Sequence, residues 1–146
     1  MDTSLDGRVA LITGGSKGLG LAMAKAYYLA GAKVAILARD AEALRMAEAE
    51  IQAMSVTDDA KANCAIASFV CDVTDPQAII ATHKSVVISL GNIDILVNNA
   101  GQSAAKPFLK ITDDEWQTDL DLKLMAAVRL TRLVWPNMAE QQWGRV

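Results

Sequence analysis

Two hydrophobic rhythms alternate along the chain. Apolar runs of strand length occur at 8–13 (RVALIT), 33–38 (KVAILA), 64–71 (CAIASFVC) and 93–97 (IDILV), and apolar residues on both faces of such runs suit strands covered on both sides. Helical spacing fills the intervals. Residues 18–30 place Leu19, Ala22, Met23, Ala26 and Leu29 on one face, and Gly31 follows as a stop. Asp40 is positioned to cap an Ala- and Glu-rich helix reaching about Met54, and Asp75 with Pro76 opens another that reaches about Leu90. The segment 102–111 carries Pro107 and no periodicity.

Thr112 followed by Glu115 spells a capping box, so a long helix is predicted from there, with Trp116, Leu120, Leu124, Val128 and Leu133 inward and Pro136 kinking its last turns. Gly144, Arg145 and Val146 read as the first residues of a fifth strand. The most polar stretch, 57–63 (TDDAKAN), reads as a surface loop. Four strands alternating with four helices call for right-handed crossovers, hence an α/β fold with a Rossmann-type, doubly wound parallel sheet in one domain.

Composition narrows this reading. The 146 residues are 52% apolar, enough for one packed core. The 14 Lys and Arg are scattered among 17 Asp and Glu, so a nucleic-acid partner is not expected. Residues 1–8 lack a secretory pattern, and charges interrupt every apolar stretch before membrane-spanning length. Cys64 and Cys71, both assigned to the third strand, do not form a disulfide framework, which suits a reducing, cytoplasmic setting. The lone His83 has no Cys or His at ligand spacing, so no metal site is inferred.

The chemistry gathers after the strands. Residues 13–20 read TGGSKGLG between the first strand and first helix. Gly14 permits the turn off the strand, Gly18 lets backbone approach a pyrophosphate, and Gly20 lets the helix pack closely. The helix start then offers N–H groups and a favourable dipole to phosphates. After the second strand stands Arg39, where an acidic residue would hold the ribose 2′-hydroxyl of NAD and a basic one would accept the 2′-phosphate of NADP. Arg39, with Lys17 in the glycine loop as a second cation, favours NADP(H). NAD(H) stays open, because Asp40 is adjacent and could play the acidic part.

TGGSKGLG, the Cys71-Asp72-Val73 end of the third strand and Asn98-Asn99-Ala100-Gly101 after the fourth, in this order and spacing, resemble the short-chain dehydrogenase/reductase family over essentially the whole chain. The resemblance implies a nicotinamide dinucleotide site drawing on Thr13, Gly14, Ser16, Lys17, Gly18, Leu19 and Gly20. By the same resemblance Asp72 would bond the adenine amino group and Val73 would lie beside the ring, while Asn98, Ala100 and Gly101 would stabilise the sheet and line the cleft. Members of this family interconvert alcohols and carbonyls by hydride transfer, using a Tyr, a Lys four residues on, a Ser on the fifth strand and often an Asn in the preceding helix. Tyr27 and Tyr28 are the only tyrosines, and neither has Lys four residues on. No catalytic residue is therefore assigned, and the chain is expected to be the N-terminal, cofactor-binding part of a longer enzyme. Lys123 stands where the family usually has Asn; it is read as a helix-surface residue, with a part in a proton relay as the alternative.

Three functions remain open: an NADP(H)-dependent oxidoreductase acting on a small alcohol or carbonyl, a nucleotide-binding module without turnover, and a non-functional truncated product. Family resemblance implies homo-oligomers pairing through the long fourth helix, 116–138. Without a full fifth strand, an unpaired edge at 93–97 is expected to drive self-association. Fatty-acyl, steroid, sugar and small ketone substrates all remain possible.

Overall fold

The structure, a computed structural model, describes residues 4–54 and 63–146. Four parallel strands, β1 (Val9–Thr13), β2 (Lys33–Ala38), β3 (Ala65–Val70) and β4 (Ile95–Val97), stand side by side in the order β3-β2-β1-β4. Helices α1 (Gly18–Leu29), α2 (Ala41–Gln52) and α3 (Pro76–Leu90) alternate with them. After β4 come a short 3-10 turn, Phe108–Lys110, and α4 (Asp113–Leu120); a wide π-type turn, Asp121–Met125, leads without a break into α5 (Ala126–Glu140). The expected doubly wound parallel architecture is borne out. Of the polar stretch 57–63, residues 57–62 lie outside the described residues.

Strand alternation splits the core into two layers. Val9, Leu11, Ala35, Leu37 and Leu96 face one side, against Ile79, Val86 and Leu90 of α3 and Ala126, Leu130, Val134 and Met138 of α5. Ile12, Val34, Ile36 and Ile66 face the other, against Ala24 and Tyr28 of α1 and Leu44, Ala47 and Ile51 of α2. Side chains alternate with period two along each strand, so both faces must be apolar for helices to cover both.

The helix starts follow their sequence signals. Asp40 accepts from the N–H groups of Glu42 and Ala43, both at 3.0 Å, and Asp75 accepts from that of Gln77 at 2.8 Å. Thr112 and Glu115 close both halves of the capping box.

Two helix faces differ from expectation. In α1 the buried positions are Gly20, Ala24 and Tyr28, whereas Leu19 and Leu29 point outward. The apolar spacing offered two adjacent stripes, and Gly20 selects one: a Cβ there would stand 2.2 Å from the Gly14 carbonyl oxygen, so this position must face the loop. Along 113–140 the inward stripe is Ala126, Leu130, Val134 and Met138, while Trp116, Leu120 and Leu124 are exposed. Here too the sequence carries two apolar stripes, and periodicity alone does not choose between them. The helix runs through Pro136 to Glu140.

Strand ends are trimmed relative to the apolar runs, so Cys64 and Cys71 flank β3 rather than lie in it; both are free thiols. The outer side of β4 is met at Ile95 by Arg145 in parallel register. Leu96 N–H donates to the Arg145 carbonyl at 2.9 Å, and Arg145 N–H donates to that of Asp94 at 3.0 Å. Residues 144–146 therefore begin along β4, and its edge is not wholly bare as expected.

This corner is held by contacts that the motifs did not signal. Buried Asp94 accepts from the Val9 N–H at 2.9 Å and the Gln141 side chain at 2.7 Å. The Arg8 guanidinium, also reaching Asp94, lies 3.7 Å from the Trp143 ring centre, with that of Arg145 at 4.9 Å. Such stacking adds a modest attraction to the packing.

Candidate functional site

In an open α/β sheet the strand order reverses where consecutive crossovers run to opposite sides, and a crevice opens at the carboxyl ends of the strands there. Here the reversal lies between β1 and β4. A cleft of about 770 Å³ lies at these carboxyl ends. The β1–α1 loop contributes Gly14, Ser16 and Lys17, the end of β2 Ala38, Arg39 and Asp40, the end of β3 Cys71, Asp72 and Val73, and the turn after β4 Asn99, Ala100 and Gly101.

The β1–α1 loop is shaped by three glycines. Gly14 has φ of +66° and Gly18 +57°, in the left-handed region where a side chain costs energy. Gly15, which motif reading did not single out, has no room for a side chain: a Cβ would lie 2.7 Å from Ile36. Nothing lies within 4 Å of where a Gly18 Cβ would stand, so this side of the loop is open.

The start of α1 differs from those of α2, α3 and α4. Those three carry side-chain caps, whereas Lys17 at the N-cap of α1 is extended and makes no side-chain cap, and no acid lies in the first turn. Helix N-termini present unsatisfied N–H groups and partial positive charge. With Lys17 and Arg39 exposed nearby, this end of the cleft suits an anion.

At the β3 end, one oxygen of Asp72 accepts from the Thr74 N–H at 2.9 Å and hydroxyl at 2.8 Å. These bonds, with a smaller contribution from Arg39, hold its carboxyl below the ordinary aspartate range. Val73, next along the chain, is buried. Burial pushes the Cys71 thiol up.

The turn after β4 is fastened to β1 by residues that sequence reading undervalued. The Thr13 hydroxyl oxygen accepts from the N–H groups of Asn99 at 3.0 Å and Ala100 at 2.9 Å, and the hydroxyl donates to the Val97 carbonyl at 3.3 Å. The Asn99 side-chain amide donates to the carbonyls of Thr13 at 3.1 Å and Gly14 at 3.2 Å. Asn99 thus ties the β1 and β4 loops together and lines the cleft, whereas Asn98 is exposed and does not. Thr13 works from behind, buried and committed to this network. Only the pairing of strand ends reveals this, because 86 residues separate Asn99 from Thr13.

Of the residues singled out in the sequence, the structure brings Gly14, Ser16, Lys17, Arg39, Asp72, Val73, Ala100 and Gly101 together around one cleft. Gly18, Leu19 and Gly20 belong to the adjoining first turn of α1 rather than to its lining. Lys123 lies outside it, on the helix surface with its amine 2.6 Å from Asp119. It sits in the middle of the wide turn and lines a second cleft of about 660 Å³ between the 102–111 segment and α4. His83 is half-buried in α3, and burial lowers its pKa. Among the described residues no group of three or more His, Cys, Asp or Glu gathers as metal ligands, and no helix is long and apolar enough to cross a membrane.

Comparison with known proteins agrees with the geometry. Residues 8–146 match the family described as short chain dehydrogenase. The chain is 32% identical over 143 residues to the 3-oxoacyl-(acyl-carrier-protein) reductase of Salmonella typhimurium, covering 98% of this chain and 54% of that protein. It is 34% identical over 145 residues to the D-threitol dehydrogenase of Mycolicibacterium smegmatis, covering 99% and 53%. The crystal structure of L-sorbose reductase from Gluconobacter frateurii, complexed with NADPH and L-sorbose, superposes with a TM-score of 0.85 at 35% identity, over 97% of this chain and 51% of that one. The chain thus spans about half the length of the curated relatives it matches.

Proposed function

The chain belongs to the short-chain dehydrogenase family, and from that premise we propose that its first cleft holds NADP(H) and serves an oxidoreductase interconverting an alcohol and a carbonyl by hydride transfer. The observation that carries this reading is the uncapped start of α1, opening onto a cleft that also receives Lys17 and Arg39. A diphosphate supplies the negative charge that this helix end lacks. The open space at Gly18 leaves room for it to approach the backbone.

The adenosine half falls to the ends of β2 and β3. Asp72 offers its carboxylate to an adenine amino group, and Val73 and Ala38 offer apolar contact for the ring. Arg39 and Lys17 are the cations for a ribose 2′-phosphate, and a guanidinium gives two parallel hydrogen bonds to such a group. Asp40, the candidate for an NAD-type ribose contact, spends one carboxylate oxygen on two backbone N–H groups of α2. That commitment supports NADP(H) over NAD(H), as does the NADPH bound to the L-sorbose reductase. Ala100, whose N–H donates to the Thr13 hydroxyl, and Gly101 beside it border the nicotinamide end.

When bound, the dinucleotide supplies or accepts the hydride; these residues bind and orient it. The Tyr and Lys that move the proton in this family have no counterpart in residues 1–146. The outward stripe Leu120, Leu124 and Trp135 supports pairing of two copies through this helix, and two unpaired thiols support a reducing compartment such as the cytoplasm.

Titration of the purified chain with NADPH and NADH, followed by ligand fluorescence, tests the reading. Tighter binding of NADPH is expected, with the preference lost in Arg39→Ala. No binding of either dinucleotide by folded chain would overturn it.

A further inference from the structure

One charged side chain of α5 lies beside the buried stripe and lines neither cleft. Arg129 stands between Ala126 and Leu130, both buried, and its own side chain is only 24% exposed. Its two terminal nitrogens reach different elements. Nη1 donates to the Thr74 carbonyl at 3.4 Å, and Nη2 donates to an Asp121 carboxylate oxygen at 3.5 Å. A guanidinium carries its donors in a fixed planar fork, so one side chain holds both partners at a set separation.

Thr74 belongs to the turn that presents Asp72. Its N–H and hydroxyl donate to one Asp72 oxygen, at 2.9 and 2.8 Å, and the Asp75 N–H donates to the Asp72 carbonyl at 3.1 Å. These three bonds are internal to residues 72–75, so they set the shape of the turn rather than its place. The Cys71 N–H fixes its start on the Ala38 carbonyl at 2.9 Å, and Asp75 fixes its end as the cap of α3. Arg129 holds the middle, through the carbonyl of the residue whose N–H and hydroxyl grip the carboxylate.

The other end of this bridge depends on the wide turn. At 3.6 residues per turn, side chains eight positions apart on a helix stand about 80° out of line. The π-type turn Asp121–Met125 spreads its rotation over more residues and removes part of that offset, bringing Asp121 toward the face of Arg129. Gln117, one turn earlier, donates to the second Asp121 oxygen at 3.2 Å, so the carboxylate is held from both sides. Leu122, the next residue, lines the first cleft, as does Asp72. Arg129 therefore braces two walls of one cleft against each other.

We propose that Arg129 is a positioning residue for the dinucleotide: by bridging the Thr74 carbonyl and Asp121, it fixes the turn that aims the Asp72 carboxylate into the first cleft. Its role rests on the cofactor reading of that cleft; the bridge itself does not. Two long contacts from one guanidinium add little stability. What they supply is direction, because a binding group already held in place spares the ordering cost otherwise met when the ligand arrives.

The test uses purified chain, carbon-13 NMR of the aspartate carboxyls against pH, and titrations with NADPH and 2′,5′-ADP. Arg129→Met and Asp121→Asn are compared with the parent, each checked for native circular dichroism. In the parent, the bonds from Thr74 hold the Asp72 carboxyl below the ordinary aspartate range. In both variants it is expected to titrate higher, because a loosened Thr74 bonds it less firmly. Asp121→Asn separates a brace from plain electrostatics: removing a negative charge by itself moves the Asp72 pKa down, whereas losing the brace moves it up. Binding of NADPH and of 2′,5′-ADP is expected to weaken about three- to tenfold in each variant, the net effect of losing one hydrogen bond. In an Asp72→Ala background Arg129→Met is expected to cost no further affinity, since residues that act through one another are not additive. An Asp72 titration unmoved or lowered in Asp121→Asn overturns the bridge, whatever the chain binds. Equal losses from Arg129→Met with and without Asp72, or affinities like the parent's in both variants, overturn the positioning role and leave the cofactor reading standing. A raised titration in a chain that binds neither ligand retains the bridge but overturns its role together with the cofactor reading.

Discussion

Thr13→Val isolates the fastening between the two loops that frame the first cleft. Valine matches threonine in shape, so the substitution removes a hydroxyl with little change in packing. The hydroxyl oxygen accepts from the N–H groups of Asn99 and Ala100, at 3.0 and 2.9 Å, in a side chain that is 2% exposed. Both donors lose their partner, and each unsatisfied donor costs about 1–3 kcal/mol. Their partial burial places the sum toward the lower end, at about 2–4 kcal/mol. Total stability of an ordinary domain is only about 5–15 kcal/mol, so the loss is large. Thr13→Ser keeps the hydroxyl and loses one methyl, for about 1 kcal/mol. Urea unfolding, read by circular dichroism at two protein concentrations to separate association from folding, measures both. A Thr13→Val chain within about 0.5 kcal/mol of the parent, a change no larger than that of an ordinary surface substitution, would refute the fastening.

Other consequences follow from single contacts. Gly20→Ala places a methyl 2.2 Å from the Gly14 carbonyl oxygen, an overlap with backbone that has no side chain to yield. It is expected to lower the thermal midpoint more than Gly18→Ala, which meets open space and bears only the strain of its positive φ, about 1–2 kcal/mol. Asp40→Ala removes the cap of α2 and is expected to cost about 1 kcal/mol in urea unfolding while leaving the preference for NADPH over NADH intact. Asp72 has a depressed carboxyl pKa in the folded chain, so its bonds to Thr74 stabilise above the unfolded-state pKa and are lost as pH falls through the folded one. The stability gap between parent and Asp72→Asn is therefore expected at neutral pH and to close below the ordinary aspartate range, as read from urea midpoints against pH.

Much of the fold was legible because local signals agreed with each other. Caps at Asp40, Asp75 and Thr112 mark helix starts by hydrogen bonds made within a few residues, which a linear reading can see. The strands show as apolar runs because parallel strands are covered on both faces. Most of the cleft was legible for a related reason: Gly14, Lys17, Arg39, Asp72 and Gly101 each lie just past a strand end, and parallel topology delivers all strand ends to one side. Asn99 carries no assigned role in a linear reading because its partners are Thr13 at the end of β1 and Gly14 in the loop after it. Gly15 escaped notice because its neighbour Ile36 belongs to another strand.

What the sequence alone determined, then, is the alternation of strand and helix, the glycine loop and the helix starts. Each depends on interactions spanning a few residues or on a period that the chain itself displays. Tertiary structure decided which of two apolar stripes faces inward on α1 and on α5, because the steric demand of Gly20 and packing against the sheet are contacts between distant segments. It also decided that Lys123 joins Asp119 in a second cleft beside the first. That placement depends on where a wide helical turn meets the loop after β4, and the spacing of residues along the chain does not encode it.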